Sequence, residues 1–128
     1  MSKKTVLLVE DDSPVRQVLR LMLEGEGFDV IEASGGIDGL AQAVDSAPDL
    51  VIVDLMMPDV DGEQLIAQMM ETEGVNGVPI LVVTAKYSAL NRCEALLGEE
   101  NVFSKPFQAT RLLDRVGELI GFPDEDQS

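Results

Sequence analysis

Asp54 closes the most apolar run of the chain, Val51-Ile52-Val53, and Leu55-Met56-Met57-Pro58-Asp59 follows at once. A buried strand that opens into a loop on a carboxylate presents that carboxylate at the edge of a sheet. Glu10, Asp11 and Asp12 follow the apolar run Thr5 to Val9 in the same way. Thr84-Ala85 closes a third run that starts at Pro79, and Lys105-Pro106 follows Asn101-Val102-Phe103-Ser104. Carboxylates brought together raise one another's pKa, and a divalent cation relieves the repulsion. The chain has no histidine and one cysteine, so the available donors are oxygens. Hard oxygen donors favour Mg²⁺, which keeps waters and borrows substrate oxygens. A cation beside a carboxylate, with a lysine and a hydroxyl nearby, suits phosphoryl transfer. Lys105 and the metal would neutralise the phosphoryl oxygens, and Asp54 would be the nucleophile of an acyl phosphate.

Each residue has a plainer reading when taken alone. Glu10-Asp11-Asp12 suits the first turn of a helix, where negative charge is favourable. Asp54 could form a turn, and Thr84 could simply end a strand. What separates the two readings is whether the elements bring these residues to one edge.

The pattern of the chain says that they do. The apolar run from Thr5 marks a strand buried on both faces. Ser13 is a plausible N-cap, with Pro14 in the first turn of a helix that carries Val15, Val18, Leu19 and Met22 and closes at Gly25 and Gly27. Phe28 to Glu32 alternates and reads as an edge strand. Ile37, Leu40, Ala41 and Val44 mark a second helix. Asp49 to Asp54 is the third strand. Leu65, Ile66, Met69 and Met70 give a third helix, with the methionines as core filler. Pro79 to Thr84 is the fourth strand, Ser88 to Leu97 the fourth helix, Asn101 to Ser104 a short fifth strand, and Ala109 to Ile120 the last helix. Five strand–helix units in succession imply an α/β fold: a doubly wound five-stranded parallel sheet with helices on both faces. In such sheets ligands bind beyond the carboxyl ends of the strands. Glu10, Asp11, Asp54, Thr84 and Lys105 all fall there.

Composition narrows the function. The 128 residues suit one domain, expected over 1–121, with 122–128 an acidic, disordered tail. Twenty-four acidic residues against nine basic ones give a net charge of −15, which disfavours direct binding to nucleic acid or to anionic membranes. Cys93 cannot form an internal bridge, falls at helical spacing with Leu90 and Leu97, and is expected to be packed. No secretory segment and no run of eighteen apolar residues is present, so a cytoplasmic location is expected.

Leu8-Val9-Glu10-Asp11-Asp12, Asp54-Leu55-Met56-Met57-Pro58 with Asp61-Gly62, Val83-Thr84-Ala85 and Lys105-Pro106-Phe107 together resemble a response-regulator receiver domain of the CheY-like kind. The resemblance covers about residues 4–121. It implies the strand order 2-1-3-4-5, which the residues alone do not show. It also implies that Asp54 accepts a phosphoryl group from the phosphohistidine of a sensor histidine kinase or a phosphotransfer protein. Asp11, Asp54 and the backbone carbonyl of Met56 would ligate Mg²⁺, with Glu10 acting through water. Lys105 would contact the phosphoryl oxygens, joined by the Thr84 hydroxyl and the Ala85 N–H. A cis Lys105–Pro106 bond, a downstream effector protein or domain, and a monomer or phosphorylation-dependent dimer complete what the resemblance implies. Phosphorylation would switch the surface around helix four, strand five and helix five.

Two departures stand out. The position three before the lysine, usually Tyr or Phe in the family, is Val102. The aromatic Phe103 comes one place later, and a one-residue shift turns a side chain to the other face of the sheet. The stretch from Thr84 to Gly98 is also about one residue short. Three alternatives make different demands on these positions. An aspartyl-phosphate hydrolase would need a general-acid Asp where Met56 stands. A flavodoxin-like binder would need a Ser/Thr/Gly loop where Glu10-Asp11-Asp12 stands. A non-phosphorylated pseudo-receiver used for docking would not need the complete acidic set.

Overall fold

The computed structural model describes residues 4–123. Five strands, β1 Thr5–Val9, β2 Asp29–Ala33, β3 Leu50–Val53, β4 Ile80–Thr84 and β5 Val102–Ser104, alternate with five helices. The helices are α1 Ser13–Gly25, α2 Gly36–Ser46, α3 Gly62–Glu71, α4 Leu90–Leu97 and α5 Ala109–Ile120. All strand pairs are parallel and the order is β2-β1-β3-β4-β5. The architecture and strand order therefore match the expectation. β2 is an edge strand, as its alternating sequence indicated.

Alternation along the strands builds two cores, one on each face of the sheet. Leu7, Val9, Val51, Val53 and Val82 point to one face and pack with Leu65, Ile66, Met69 and Cys93 from α3 and α4. Val6, Leu8, Ile52, Leu81 and Val83 point to the other and meet Leu19, Leu23, Leu112 and Val116 from α1 and α5. Covering both faces is why β1, β3 and β4 are continuous apolar runs. Each fully buried Val, Leu or Ile contributes roughly 1.5–3 kcal/mol. Cys93 is a buried thiol, as expected.

The local differences have physical causes. α1 is capped by Asp12 rather than Ser13: its Oδ1 accepts the Val15 N–H at 3.3 Å, and Pro14 stays in the first turn. Asp caps at least as well as Ser, so the helix starts one residue early. The fourth helix is shorter than the expected Ser88 to Leu97. A 3₁₀ turn, Tyr87–Ala89, precedes α4 because the Tyr87 and Ala89 N–H groups donate to Ala85 and Lys86 carbonyls in tight turns. The one-residue displacement of the aromatic on β5 has the foreseen effect. Val102 packs against the α3–α4 core, and Phe103 against the α1–α5 core. Phe122 packs against Phe28 with ring centroids 6.1 Å apart, and residues 124–128 of the expected tail lie outside the described residues.

Two close contacts fix the loop after β3. Asp59 accepts the N–H groups of Gly36 at 3.0 Å and Ile37 at 3.1 Å, capping α2 from a distant part of the chain. These bonds, together with that from Val60, hold its carboxyl below the usual range. Gly35, the residue before α2, has no side chain to do this. Gly62 starts α3 so close to the end of β3 that a Cβ there would lie 2.4 Å from the Leu55 Cα and 2.9 Å from the Asp54 carbonyl oxygen. Gly62→Ala should therefore cost on the order of 1–3 kcal/mol in urea unfolding, since backbone must move. Gly77→Ala, where nothing lies within 4 Å, should stay within about 0.5 kcal/mol.

Candidate functional site

The residues singled out from the sequence meet at the carboxyl ends of the strands, and the backbone holds them there. The Glu10 N–H donates to the Ala33 carbonyl at 3.0 Å, the Asp54 N–H to Val9 at 3.0 Å, and the Lys105 N–H to Thr84 at 2.9 Å. Each bond carries the sheet ladder one step past a strand end. The main chain is therefore fixed where the side chains leave the sheet.

At the centre, Lys105 Nζ donates to Glu10 Oε1 at 2.8 Å and to Asp54 Oδ2 at 2.9 Å. Both carboxylates are buried: the Glu10 side chain is 2% exposed and that of Asp54 6%. The Met56 N–H donates to Asp54 Oδ1 at 3.0 Å, so each Asp54 oxygen has a donor. Asp11 is exposed beside them, and one carboxylate oxygen from each of Glu10, Asp11 and Asp54 fits within a 4.8 Å span.

The electrostatics of the pair are unequal. Burial, and then the neighbouring Asp54 carboxylate, push the Glu10 carboxyl up to about 7 against the pull of Lys105. Burial also opposes ionisation of Asp54. Hydrogen bonds from Lys105 and from the Met56 N–H, with the neighbouring Glu10 carboxyl, outweigh it and lower its pKa. Of the two carboxyls, that of Glu10 is therefore the harder to ionise and that of Asp54 the easier. Burial disfavours the Lys105 charge too, but Glu10 and Asp54 more than restore it. One lysine contacts two of three clustered carboxylates, all hard oxygen donors on the rim of the sheet. That set fits Mg²⁺.

Thr84 is fully buried, and its Oγ1 accepts the Lys86 N–H at 3.1 Å. Ala85 is exposed, and its carbonyl accepts the Tyr87 N–H at 3.0 Å. Met56 stands exposed at the mouth of the site. The Lys105–Pro106 peptide is cis, as the resemblance implied. The run Glu10-Asp11-Asp12 divides its labour. Glu10 and Asp11 serve the site, whereas Asp12 is spent on the α1 cap.

Sequence reasoning missed a second layer. Lys86 Nζ bridges Asp61 Oδ2 at 3.0 Å and Glu63 Oε2 at 3.3 Å, and Arg92 grips Glu63 at 2.8 and 2.9 Å. This network ties the start of α3 to the turn after β4 and to α4. The Tyr87 hydroxyl donates to the Lys105 carbonyl at 2.6 Å. Partners this far apart in the chain leave no local pattern to read. Bonds from Arg92, working against partial burial and helped by Lys86, hold the Glu63 carboxyl down at about 2 from an ordinary 4.5. A depressed carboxylate stabilises the fold fully above 4.5, and this support is lost as pH falls toward 2. Glu63→Gln should therefore flatten the loss of urea stability across that window. Added salt should shrink the difference, because these pairs face solvent.

Comparison with known proteins places these features in a family. The model of the response regulator receiver domain matches residues 6–117. The phosphate regulon transcriptional regulatory protein PhoB of Pseudomonas aeruginosa is 32% identical over 121 residues, 94% of this chain and 53% of its own length. The KDP operon transcriptional regulatory protein KdpE of Escherichia coli is 38% identical over 112 residues, 87% of this chain and 48% of its own. The chain thus spans about half the length of the curated relatives it matches. Among solved structures, a CheY-like receiver domain protein from Methanospirillum hungatei superposes with a TM-score of 0.83 at 27% identity, covering 98% of each chain. The chemotaxis protein CheY4 of Vibrio cholerae gives 0.81 at 26% identity, covering 92% of this chain and 99% of that one. Nothing in these findings favours a docking-only pseudo-receiver. With the sheet order, the acidic set and the strand-end lysine in place, the chain belongs to the response regulator receiver domain family.

Proposed function

We propose that Asp54 is the phosphoacceptor of a two-component signalling protein. The observation that carries this reading is the meeting of Asp54, Glu10 and Asp11 with Lys105 Nζ, 2.9 Å from Asp54 Oδ2, at one edge of a parallel sheet. An Asp54 carboxylate oxygen attacks the phosphorus of a phosphohistidine on a sensor histidine kinase or phosphotransfer protein. The P–N bond breaks, its electron pair returns to the imidazole, and an acyl phosphate remains on Asp54. Lys105 is close enough to neutralise the phosphoryl oxygens. Thr84 Oγ1 and the Ala85 N–H supply further hydrogen bonds.

Asp11, Asp54 and the Met56 carbonyl would hold Mg²⁺, with Glu10 acting through water. Bound Mg²⁺ supplies positive charge to the phosphoryl oxygens. Water attacking the same phosphorus breaks its bond to the Asp54 oxygen, releases inorganic phosphate and restores the carboxylate, so the domain controls its own signal lifetime.

The new charge biases the surface of α4, β5 and α5 toward a form that a downstream effector protein or domain recognises. The same reading places the protein in the cytoplasm, as a monomer or a phosphorylation-dependent dimer, over a domain of residues 1–121. No helix among the described residues is long and apolar enough to cross a membrane.

Acetyl phosphate with Mg²⁺, followed by intact mass, tests the acceptor. Wild type should gain one acid-stable, alkali-labile phosphoryl group. Asp54→Asn should gain none, and removing Mg²⁺ with a chelator should abolish the gain. An unmodified wild type at saturating donor would sink the reading. Lys105→Met should slow the gain by about 10²-fold or more, the usual scale for a lost charge-stabilising donor.

A further inference from the structure

We propose that Tyr87 is a latch on the acceptor site. Its hydroxyl holds the turn after β4 against the Lys105 carbonyl while Asp54 is free, and lets go when the acceptor is occupied. This rests on the phosphoacceptor reading and adds how occupancy is passed outward.

The Tyr87 side chain is not placed by burial, since the residue is 61% exposed. It is placed by one short bond, Oη to the Lys105 carbonyl at 2.6 Å. The same lysine holds Asp54 through Nζ at 2.9 Å. The neighbouring residue, Lys86, is held through its N–H by Thr84 Oγ1 at 3.1 Å. Besides the pairs of the Lys86 side chain with Asp61 and Glu63, the turn is thus fastened at two points whose anchors are residues of the site. A phosphoryl group on Asp54 gives Lys105 Nζ and Thr84 Oγ1 new oxygens to meet. Both anchors then change together.

Neither Val102 nor Phe103 on β5 offers a polar group that could report this event in place of Tyr87. Val102 has no polar group and packs into the α3–α4 core, and Phe103 is turned to the opposite face. The turn that Tyr87 fastens leads directly into α4, so its release frees the entrance of that helix. The chain holds one tyrosine and no tryptophan, so its ultraviolet emission reports this residue alone.

Reciprocity supplies the test. If occupancy opens the latch, removing the latch must favour occupancy by the same factor. A single hydrogen bond sets that factor at about two- to tenfold. The probe is beryllium fluoride with excess Mg²⁺, a stable mimic of the phosphoryl group, titrated by ¹⁹F NMR on the full chain. Tyr87→Phe keeps the ring and deletes the hydroxyl. It should lower the half-saturating concentration by about two- to tenfold. In wild type, tyrosine emission should change along the same curve as the bound ¹⁹F signal. An unchanged or raised half-saturating concentration in the variant overturns the latch, as does flat wild-type emission at full ¹⁹F saturation. The acceptor reading survives either result. A wild type that binds no more than Asp54→Asn overturns both.

Discussion

The structure turns on one half-buried cation between two buried carboxylates. Glu10 and Asp54 cannot both be ionised in a dry sheet edge without a positive partner. Lys105 Nζ lies within 2.9 Å of each. Long-range topology follows from that need. The acids come from the ends of β1 and β3, and the lysine comes from beyond β5, 95 residues after Glu10. The parallel sheet is what makes the three ends coincide, because all strands point the same way. Two apolar cores, one per face, stabilise the sheet and so support this charge cluster.

Around that centre, the loops are held by specific bonds as well as by packing. Asp59 caps α2 and thereby pins the segment after Asp54 to a second helix. Gly62 lets α3 begin against the backbone of Leu55. Lys86 and Arg92 draw Glu63 at the start of α3 toward α4. The loop after β3 and the start of α3 therefore meet their surroundings through hydrogen bonds and ion pairs that a charge change can rearrange, while Leu7, Val51 and Val82 stay packed beneath.

Much of this was legible in the sequence because it rests on local pattern. Continuous apolar runs read as two-sided strands, and Asp54, Glu10 and Lys105 followed those runs directly. The shift from Val102 to Phe103 correctly foretold opposite faces, since strand periodicity leaves no other outcome. What could not be read depends on partners brought near only by folding. The choice of Asp12 over Ser13 as the cap is a contest between two good caps one residue apart. The 3₁₀ turn at Tyr87 and the reach of Asp59 to Gly36 have no sequence signal of their own.

β5 is only three residues long and lies at the edge of the sheet, paired on one side to β4. Lys105 is mounted just beyond it. Glu10 and Asp54, by contrast, stand on strands flanked on both sides. The anionic wall of the site is therefore built on the stiffest part of the molecule, and its counter-ion on a compliant margin. Local opening of that margin costs far less than global unfolding. The seat of the lysine rests on that one-sided pairing, while the carboxylates stand on strands held from both sides. A site built in this way can exchange the charges that face its acids without melting the core that carries them.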